Sequence, residues 1–131
     1  MKRALACMVL LAAVLLPTAA SAQSPDDDYN AYAGRSRASL LVELAQILGE
    51  AHAIRSLCNG DGDQTWRNYM VELMRVEAGN VNQSSLTSSF NRGYRAQRQR
   101  KACTAELVGV EQKLAGRGRV LADVVARSYV N

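Results

Sequence analysis

The stretch from residue 37 to residue 58 reads RASLLVELAQILGEAHAIRSLC. An α-helix turns about 100° per residue, and the apolar side chains of this stretch then fall on one stripe. They are Leu40, Leu41, Leu44, Ile47, Leu48, Ala51, Ile54 and Cys58. The pattern predicts a first helix that begins near Arg37, ends near Cys58 and buries this stripe in a core.

A second helix is predicted after the turn-forming residues 59–63. Asp63 can cap it, because a short side-chain oxygen there can accept a hydrogen bond from a free backbone N–H of the first turn. Gly79 and Asn80 should end it. Its inward residues are predicted to be Trp66, Tyr69, Met70, Leu73 and Met74.

The second half of the chain contains two more helical patterns. The third helix should begin between Asn82 and Ser84 and end around Cys103, and Thr104 can cap the fourth. The third should carry Leu86, Phe90, Tyr94 and Gln97 on one side, and the fourth should carry Leu107, Val110, Leu114, Leu121, Val124, Val125 and Ser128 on one face. Gly116 and Gly118 weaken the fourth helix and could kink it.

No segment alternates between apolar and polar residues with period two, so we predict no sheet. The expected fold class is all-α, a compact bundle of about four helices over residues 37–131. Without its leader the chain has 109 residues, which suffices for one domain with one modest core.

The N-terminus has the pattern of a secretory signal peptide over residues 1–22. Lys2 and Arg3 precede an apolar run of 13 residues, and small residues end at Ala22, where we predict cleavage. A membrane anchor is the alternative, but a bilayer core requires about 20 apolar residues. We therefore predict a periplasmic protein with no transmembrane segment in the mature chain, which would begin with a disordered tail over residues 23–36.

Cys58 and Cys103 are the cysteines that remain after the leader, which contains Cys7, is removed. An even pair in an oxidising compartment favours a disulfide. Zinc requires more ligands than two cysteines and one distant histidine supply, and a redox motif places its cysteines closer together. We predict a Cys58–Cys103 bridge that ties the end of the first helix to the junction of the third and fourth.

Charge is unevenly distributed along the chain. Residues 23–79 contain five Arg against nine acidic residues, whereas residues 80–131 contain nine Lys or Arg against three acidic residues. This asymmetry fits an anionic partner for the second half, and it fits equally two halves that attract each other on folding.

Several short motifs together resemble a known family. They are Leu48-Gly49-Glu50-Ala51-His52, Arg55, Leu57-Cys58, Trp66-Arg67, Met70, Phe90-Asn91-Arg92-Gly93-Tyr94-Arg95 and Cys103-Thr104. The chain is similar over residues 38–128 to a small exported alphaproteobacterial family that carries only a domain-of-unknown-function label, although Ala53 follows His52 where a bulky aromatic residue is expected. The resemblance implies a bridged helical domain in the periplasm and no established activity.

Arg55 and Glu77 are charged residues that fall within the apolar stripes of the first and second helices. A lone buried charge is costly, so we predict that the two form a structural ion pair. The functional alternative makes Arg55 a pocket residue for a ligand carboxylate, and a cell-wall-acting enzyme or enzyme regulator would place His52, Arg55 and Glu77 around a cleft.

His52 is the single histidine of the chain. We interpret it as a packing residue, because the sequence indicates no nucleophile or second acid within hydrogen-bond reach of it. No GxSxG elbow, HExxH helix or phosphate-binding glycine loop is present, so we assign no catalytic residue, no metal and no cofactor. Asn59, Asp61 and Asp63 imitate the first ligands of a calcium loop, but Gln64 stands where glycine is needed and Met70 where glutamate is needed.

Arg92, Arg95 and Arg98 recur every three residues on the polar side of the third helix. Such a strip is usually a solvated face, yet we also predict it to be the recognition surface of this chain, with Asn91 and Tyr94 beside it. In the periplasm we expect an envelope protein, peptidoglycan or anionic lipid as the partner, and no nucleic acid. The leading hypothesis is a non-enzymatic binding or structural module of the cell envelope.

Overall fold

A computed structural model describes residues 29–129 of the chain, which fold into four helices joined by short loops. The helices are α1 (Arg37–Asn59), α2 (Thr65–Val76), α3 (Gln83–Arg98) and α4 (Ala105–Arg127). No strand occurs in this range, so the predicted all-α fold is confirmed. The predicted signal peptide and its cleavage site lie outside the described residues, as does the first part of the predicted tail.

Helix α1 is the centre of the domain. The whole apolar stripe predicted for it is buried except for Cys58, which is partly buried. Helices α2, α3 and α4 all pack against α1, whereas α4 makes no close backbone approach to α2 or α3 within residues 29–129. The core therefore consists of α1 and the faces of α2, α3 and α4 that pack on it.

Side chains cap the helices largely where the sequence predicts. Ser36, Asn82 and Thr104 accept hydrogen bonds from backbone N–H groups in the first turns of α1, α3 and α4. Asp63 accepts from the backbone N–H of Thr65 at the start of α2, where Gln64 occupies the cap position without a side-chain bond. Gly60 ends α1 with a φ of 91°, a conformation that favours glycine.

Two expectations about the helices were wrong. α3 ends at Arg98, so Cys103 lies in the loop before α4. Tyr69 of α2 is 58% exposed and does not point inward. α4 is continuous through Gly116 and Gly118, and the Gly118 position lies against Ile47 of α1, where a Cβ atom would be 3.4 Å from the Ile47 side chain. A Cβ atom at Gly118 would make only an ordinary van der Waals contact with α1, so the packing of α4 on α1 does not depend on this glycine.

The predicted bridge between Cys58 and Cys103 is present, with the two Cα atoms 5.0 Å apart. It joins the last turn of α1 to the loop that precedes α4. Because the backbone of α4 closely approaches only that of α1 within residues 29–129, this covalent link adds a second fastening for α4.

The segment before α1 folds back toward the helices from Tyr29 onward. Backbone hydrogen bonds form a turn over residues 29–35, and Tyr32 packs against the core. Arg35 donates to Glu43 of α1 at 2.5 Å. Disorder of the whole stretch 23–36 stays a prediction. No helix in residues 29–129 is long and apolar enough to cross a bilayer.

Candidate anion-binding surface

The predicted recognition residues all lie on α3, where Tyr94 is partly buried and Asn91, Arg92, Arg95 and Arg98 are exposed. We call Arg92, Arg95, Arg98, Arg100 and Lys101 the α3 cationic surface, and all five are exposed. Within residues 29–129, no carboxylate forms a salt bridge with any of them. The surface therefore presents five uncompensated positive charges within ten residues.

Neutral groups orient two of these arginines. Arg92 donates from Nε to the Gln46 side-chain oxygen at 3.2 Å and from one terminal nitrogen to the Ser89 hydroxyl at 3.0 Å. Arg98 donates to the Tyr94 hydroxyl at 2.9 Å, and its guanidinium lies 5.7 Å from the centre of that ring. These contacts restrain the side chains without cancelling their charge, which reduces the entropy lost when an anion binds.

Two glycines fix which side of α3 faces outward. A Cβ atom at Gly49 of α1 would lie 2.0 Å from the Phe90 carbonyl oxygen, and one at Gly93 of α3 would lie 2.1 Å from the Gln46 carbonyl oxygen. The two backbones meet at these reciprocal positions, and no larger residue fits without moving them. Gly93 thus sets the rotation of α3, and its neighbours Arg92 and Arg95 consequently face solvent.

His52 is buried in the interface between α1 and α3, as predicted for a packing residue. Its ring lies 5.9 Å from the Phe90 ring and 5.6 Å from the Tyr94 ring, measured between centroids. Burial, together with the nearby positive charge of Arg67, lowers the pKa of His52. Its Nδ1 atom is buried without a hydrogen-bond partner. The neutral ring therefore packs under Tyr94, one of the predicted recognition residues.

The predicted ion pair between Arg55 and Glu77 is wrong. Arg55 donates a hydrogen bond from Nε to Glu111 of α4 at 2.6 Å. Glu77 instead accepts hydrogen bonds from both terminal nitrogens of Arg37, at 2.5 and 2.6 Å. Arg37 and Arg55 are 18 residues apart on α1, which is about 27 Å along a helix. The helical wheel predicted the correct angle for Arg55 but could not show which end of α2 lies beside it.

Glu77 is instead the centre of a polar cluster that we call the Glu77 node. The residue follows the end of α2 and is 1% exposed. The Glu77 carboxylate accepts hydrogen bonds from Arg37 and also from the Tyr129 hydroxyl, which lies just after the end of α4. The hydrogen bonds from Arg37 keep the pKa of Glu77 below its usual value, against the opposing effect of burial. One carboxylate thus ties together α1, α2 and the end of α4.

A second cluster of the same construction lies at the other end of the domain, and we call it the Glu111 node. One carboxylate oxygen of Glu111 accepts from Arg55 of α1 and from the Trp66 ring nitrogen of α2, each at 2.6 Å. Glu111 itself is buried on α4. We did not predict Glu111, although its spacing from Leu107 and Leu114 places it in the apolar stripe of α4 and was a usable signal.

The cleft suggested for an enzyme does not form. His52 faces Phe90 and Tyr94, Arg55 belongs to the Glu111 node, and Glu77 belongs to the other node. The three side chains have no partner in common, and the two charged ones are held in separate structural clusters. The hypothesis of a catalytic site built from them is therefore withdrawn.

The residues that imitate a calcium loop are engaged with each other. Asn59 donates to one oxygen of Asp63 at 2.9 Å, and the other oxygen accepts from the hydroxyl and backbone N–H of Thr65. These bonds, of which that from Asn59 has the largest effect, lower the pKa of Asp63 to about 2. The run acts as a polar turn that starts α2.

Fold and surface together define a disulfide-bridged, all-α domain with a cationic outer helix. The family model described as "Protein of unknown function (DUF2385)" matches residues 38–129. The chain belongs to this family, whose matched range includes all four helices except the first residue of α1. No curated protein and no solved structure matches the chain.

Proposed function

We propose that this protein is an exported, non-enzymatic module of the cell envelope that binds an anionic partner through the α3 cationic surface. Export is inferred from the signal-peptide pattern of residues 1–22, and the disulfide is compatible with an oxidising compartment. Cleavage after Ala22 would release the bundle into the periplasm. The domain would then work as a rigid carrier for the surface.

One observation carries this proposal. Elsewhere in the described range five arginines are salt-bridged, and the four cations without a salt bridge are spread over α2 and α4, whereas the α3 cationic surface groups five cations without a carboxylate. Concentrating unpaired like charge on one side is unfavourable for folding, so a binding role explains it better than a structural role. Arginine suits carboxylate and phosphate partners, because its planar group can donate two parallel hydrogen bonds.

The available anions of the envelope are peptidoglycan carboxylates, anionic lipid and acidic protein surfaces. All three would be attracted by the same electrostatic term, and that attraction weakens as salt screens it. We therefore expect a partner that is released as ionic strength rises. Nucleic acid is not expected in this compartment.

The test is a charge reversal at two exposed positions of α3, Arg95→Glu with Arg98→Glu. Arg92 is left intact because its bonds to Gln46 and Ser89 join α3 to α1. The matched control is Lys113→Glu with Arg127→Glu, which changes net charge equally on exposed positions of α4. Both variants should retain the melting temperature of the wild type within a few degrees.

Binding is measured by cosedimentation with purified peptidoglycan and with anionic vesicles, and by capture from intact envelopes. The α3 variant should lose binding to the partner that retains wild-type protein and the control. Equal retention of all three proteins would refute the proposal. Retention that does not weaken with salt would also contradict it.

A further inference from the structure

A small hollow lies where the C-terminal parts of α1 and α3 meet the turn after α1 and the loop after α3. Its volume is about 330 Å³, at the lower end of the range for small-molecule sites. Its polar lining consists of Ser56, Asp61, Gln97, Arg98 and Arg100. Because two of these residues belong to the α3 cationic surface, the hollow lies at the edge of the surface to which we assign binding.

Opposite charges line this hollow without pairing. In the described part of the chain, neither Asp61 nor Arg98 nor Arg100 forms a salt bridge. Arg98 donates to the Tyr94 hydroxyl instead, at 2.9 Å. The turn that carries Asp61 is held through its backbone, because the carbonyl oxygen of Asp61 accepts a hydrogen bond from the Gln64 side chain at 2.7 Å. Contacts to neutral groups therefore leave a carboxylate and two guanidiniums free in one hollow.

Two further oxygens of the lining have no hydrogen-bond partner. The side-chain oxygen of Gln97 is buried and unpaired, and its amide is oriented by Glu50, which accepts from the nitrogen at 3.3 Å and does not line the hollow. Ser56 is 7% exposed, and its hydroxyl makes no hydrogen bond within residues 29–129. Buried polar atoms are normally paired, so these two oxygens indicate a donor supplied by a ligand.

The mixture of charges selects the kind of ligand. A simple anion would be repelled by Asp61, and a simple cation would be repelled by the two arginines. A group that carries both charges satisfies both sides of the hollow. An ammonium has three N–H donors, and the hollow offers it three oxygen groups, those of Asp61, Ser56 and Gln97. The last torsion of a glutamine side chain is soft, so the Gln97 oxygen can turn toward such a donor.

We propose that this hollow binds an α-amino-acid group, a carbon atom that carries both an ammonium and a carboxylate. The carboxylate accepts hydrogen bonds from Arg98 and Arg100, and the ammonium donates to Asp61, Ser56 and Gln97. The inference rests on the function proposed above, because both arginines belong to the α3 cationic surface. In the envelope this group occurs in soluble amino acids and at the unlinked ends of peptidoglycan stem peptides.

The test is an NMR titration of bridged mature protein, followed through its backbone amide signals. Three probes share one carbon chain and differ in charge: meso-diaminopimelate has an ammonium and a carboxylate at each end, pimelate has carboxylates only, and 1,5-diaminopentane has ammoniums only. Diaminopimelate should cause saturable shifts in residues 56–61 and 97–101 and bind at least about tenfold more tightly than either other probe. Absence of a saturable shift would overturn the proposal, as would equal affinities for diaminopimelate and pimelate.

Variants test the two sides of the hollow. Asp61→Asn removes the contact to the ammonium, so it should weaken diaminopimelate by about tenfold without weakening pimelate. Its control is Asp123→Asn, on an exposed position of α4. Arg100→Gln should weaken diaminopimelate by a similar factor, with Lys113→Gln as its control. None of these exposed side chains holds the bundle together, so the melting temperature should not change. Unchanged diaminopimelate affinity in Asp61→Asn or Arg100→Gln would overturn the proposal.

A soluble peptidoglycan fragment with a free diaminopimelate end distinguishes the source of the group. Tighter binding of the fragment than of free diaminopimelate assigns the ligand to the cell wall, and the opposite order assigns it to soluble amino acids. Acetylation of the ammonium of the fragment should remove its shifts at residues 56–61. Salt-sensitive cosedimentation with peptidoglycan that Arg95→Glu with Arg98→Glu abolishes and Asp61→Asn leaves unchanged would overturn this inference while the proposed function stands.

Discussion

The Glu77 node makes a strong prediction about stability, which Arg37→Met tests. The Glu77 side chain is 2% exposed and that of Arg37 is 23% exposed, so removing Arg37 leaves a carboxylate buried without its cation. Breaking a buried pair on one side typically costs about 3–5 kcal/mol. We expect about 3 kcal/mol, the lower end, because Tyr129 still donates one hydrogen bond to the carboxylate.

The chain offers a matched control in Arg75→Met. Arg75 also makes two hydrogen bonds to a glutamate, Glu72, but these side chains are 71% and 56% exposed. Solvent screens a surface pair and its side chains lose entropy when they pair, so this variant should be nearly neutral. The two substitutions remove the same side chain and differ in the burial of its partner.

The assay is urea unfolding of bridged protein followed by circular dichroism. Arg37→Met should lower the free energy of unfolding by about 3 kcal/mol, which corresponds to a melting temperature lower by about 12 °C or more. Replacing both Arg37 and Glu77 with Met should recover most of the loss, because no orphaned charge remains. Losses within 0.5 kcal/mol of each other for Arg37→Met and Arg75→Met would refute the reasoning.

Three further predictions concern the glycine contact, the bridge and the buried histidine. Gly93→Ala should lower the free energy of unfolding by about 1–3 kcal/mol, because the new Cβ atom meets the backbone of α1. Gly116→Ala meets nothing within 4 Å and should stabilise α4 by up to about 1 kcal/mol. Chemical unfolding in which Gly93→Ala is the more stable variant would contradict the close approach. Replacing Cys58 and Cys103 with Ala should cost about 3–4 kcal/mol for this separation of 45 residues, and an unchanged melting temperature would exclude a stabilising bridge. His52 has a lowered pKa in the folded state, so its contribution to stability should be complete above the ordinary pKa of about 6.5 and should decline as the pH falls from there toward the folded pKa. His52→Phe should therefore flatten the pH profile of the melting temperature in that window. An identical profile in the variant and the wild type would contradict the lowered pKa.

The sequence predicted helices and core well, because the period of 3.6 residues reports directly on one-sided burial. The stripe of α1 and the buried leucines and Val125 of α4 were found in this way. The end of α3 was misplaced, since residues 99–103 carry no breaking signal that a pattern can read. The bridge followed from the number of cysteines, which requires no knowledge of tertiary packing.

Ion pairing could not be predicted in the same way. A helical wheel shows that Arg55 lies on a buried face, but it contains no information about the axial offset between helices. The partners of Arg55 and Glu77 depend on that offset, and they proved to be residues at opposite ends of the domain. The groove lined by residues of α2 and α4 was equally hidden, since it depends on how these two helices are placed on α1.

The central claim is that this bundle is exported and bridged before it presents its cationic helix. The most direct measurement is intact mass, without reduction, of protein recovered from the periplasmic fraction of the native cell. The account predicts a chain that begins at Gln23 and is two hydrogen atoms lighter than its reduced form. A cytosolic chain that retains residues 1–22 and carries free thiols at Cys58 and Cys103 would contradict it.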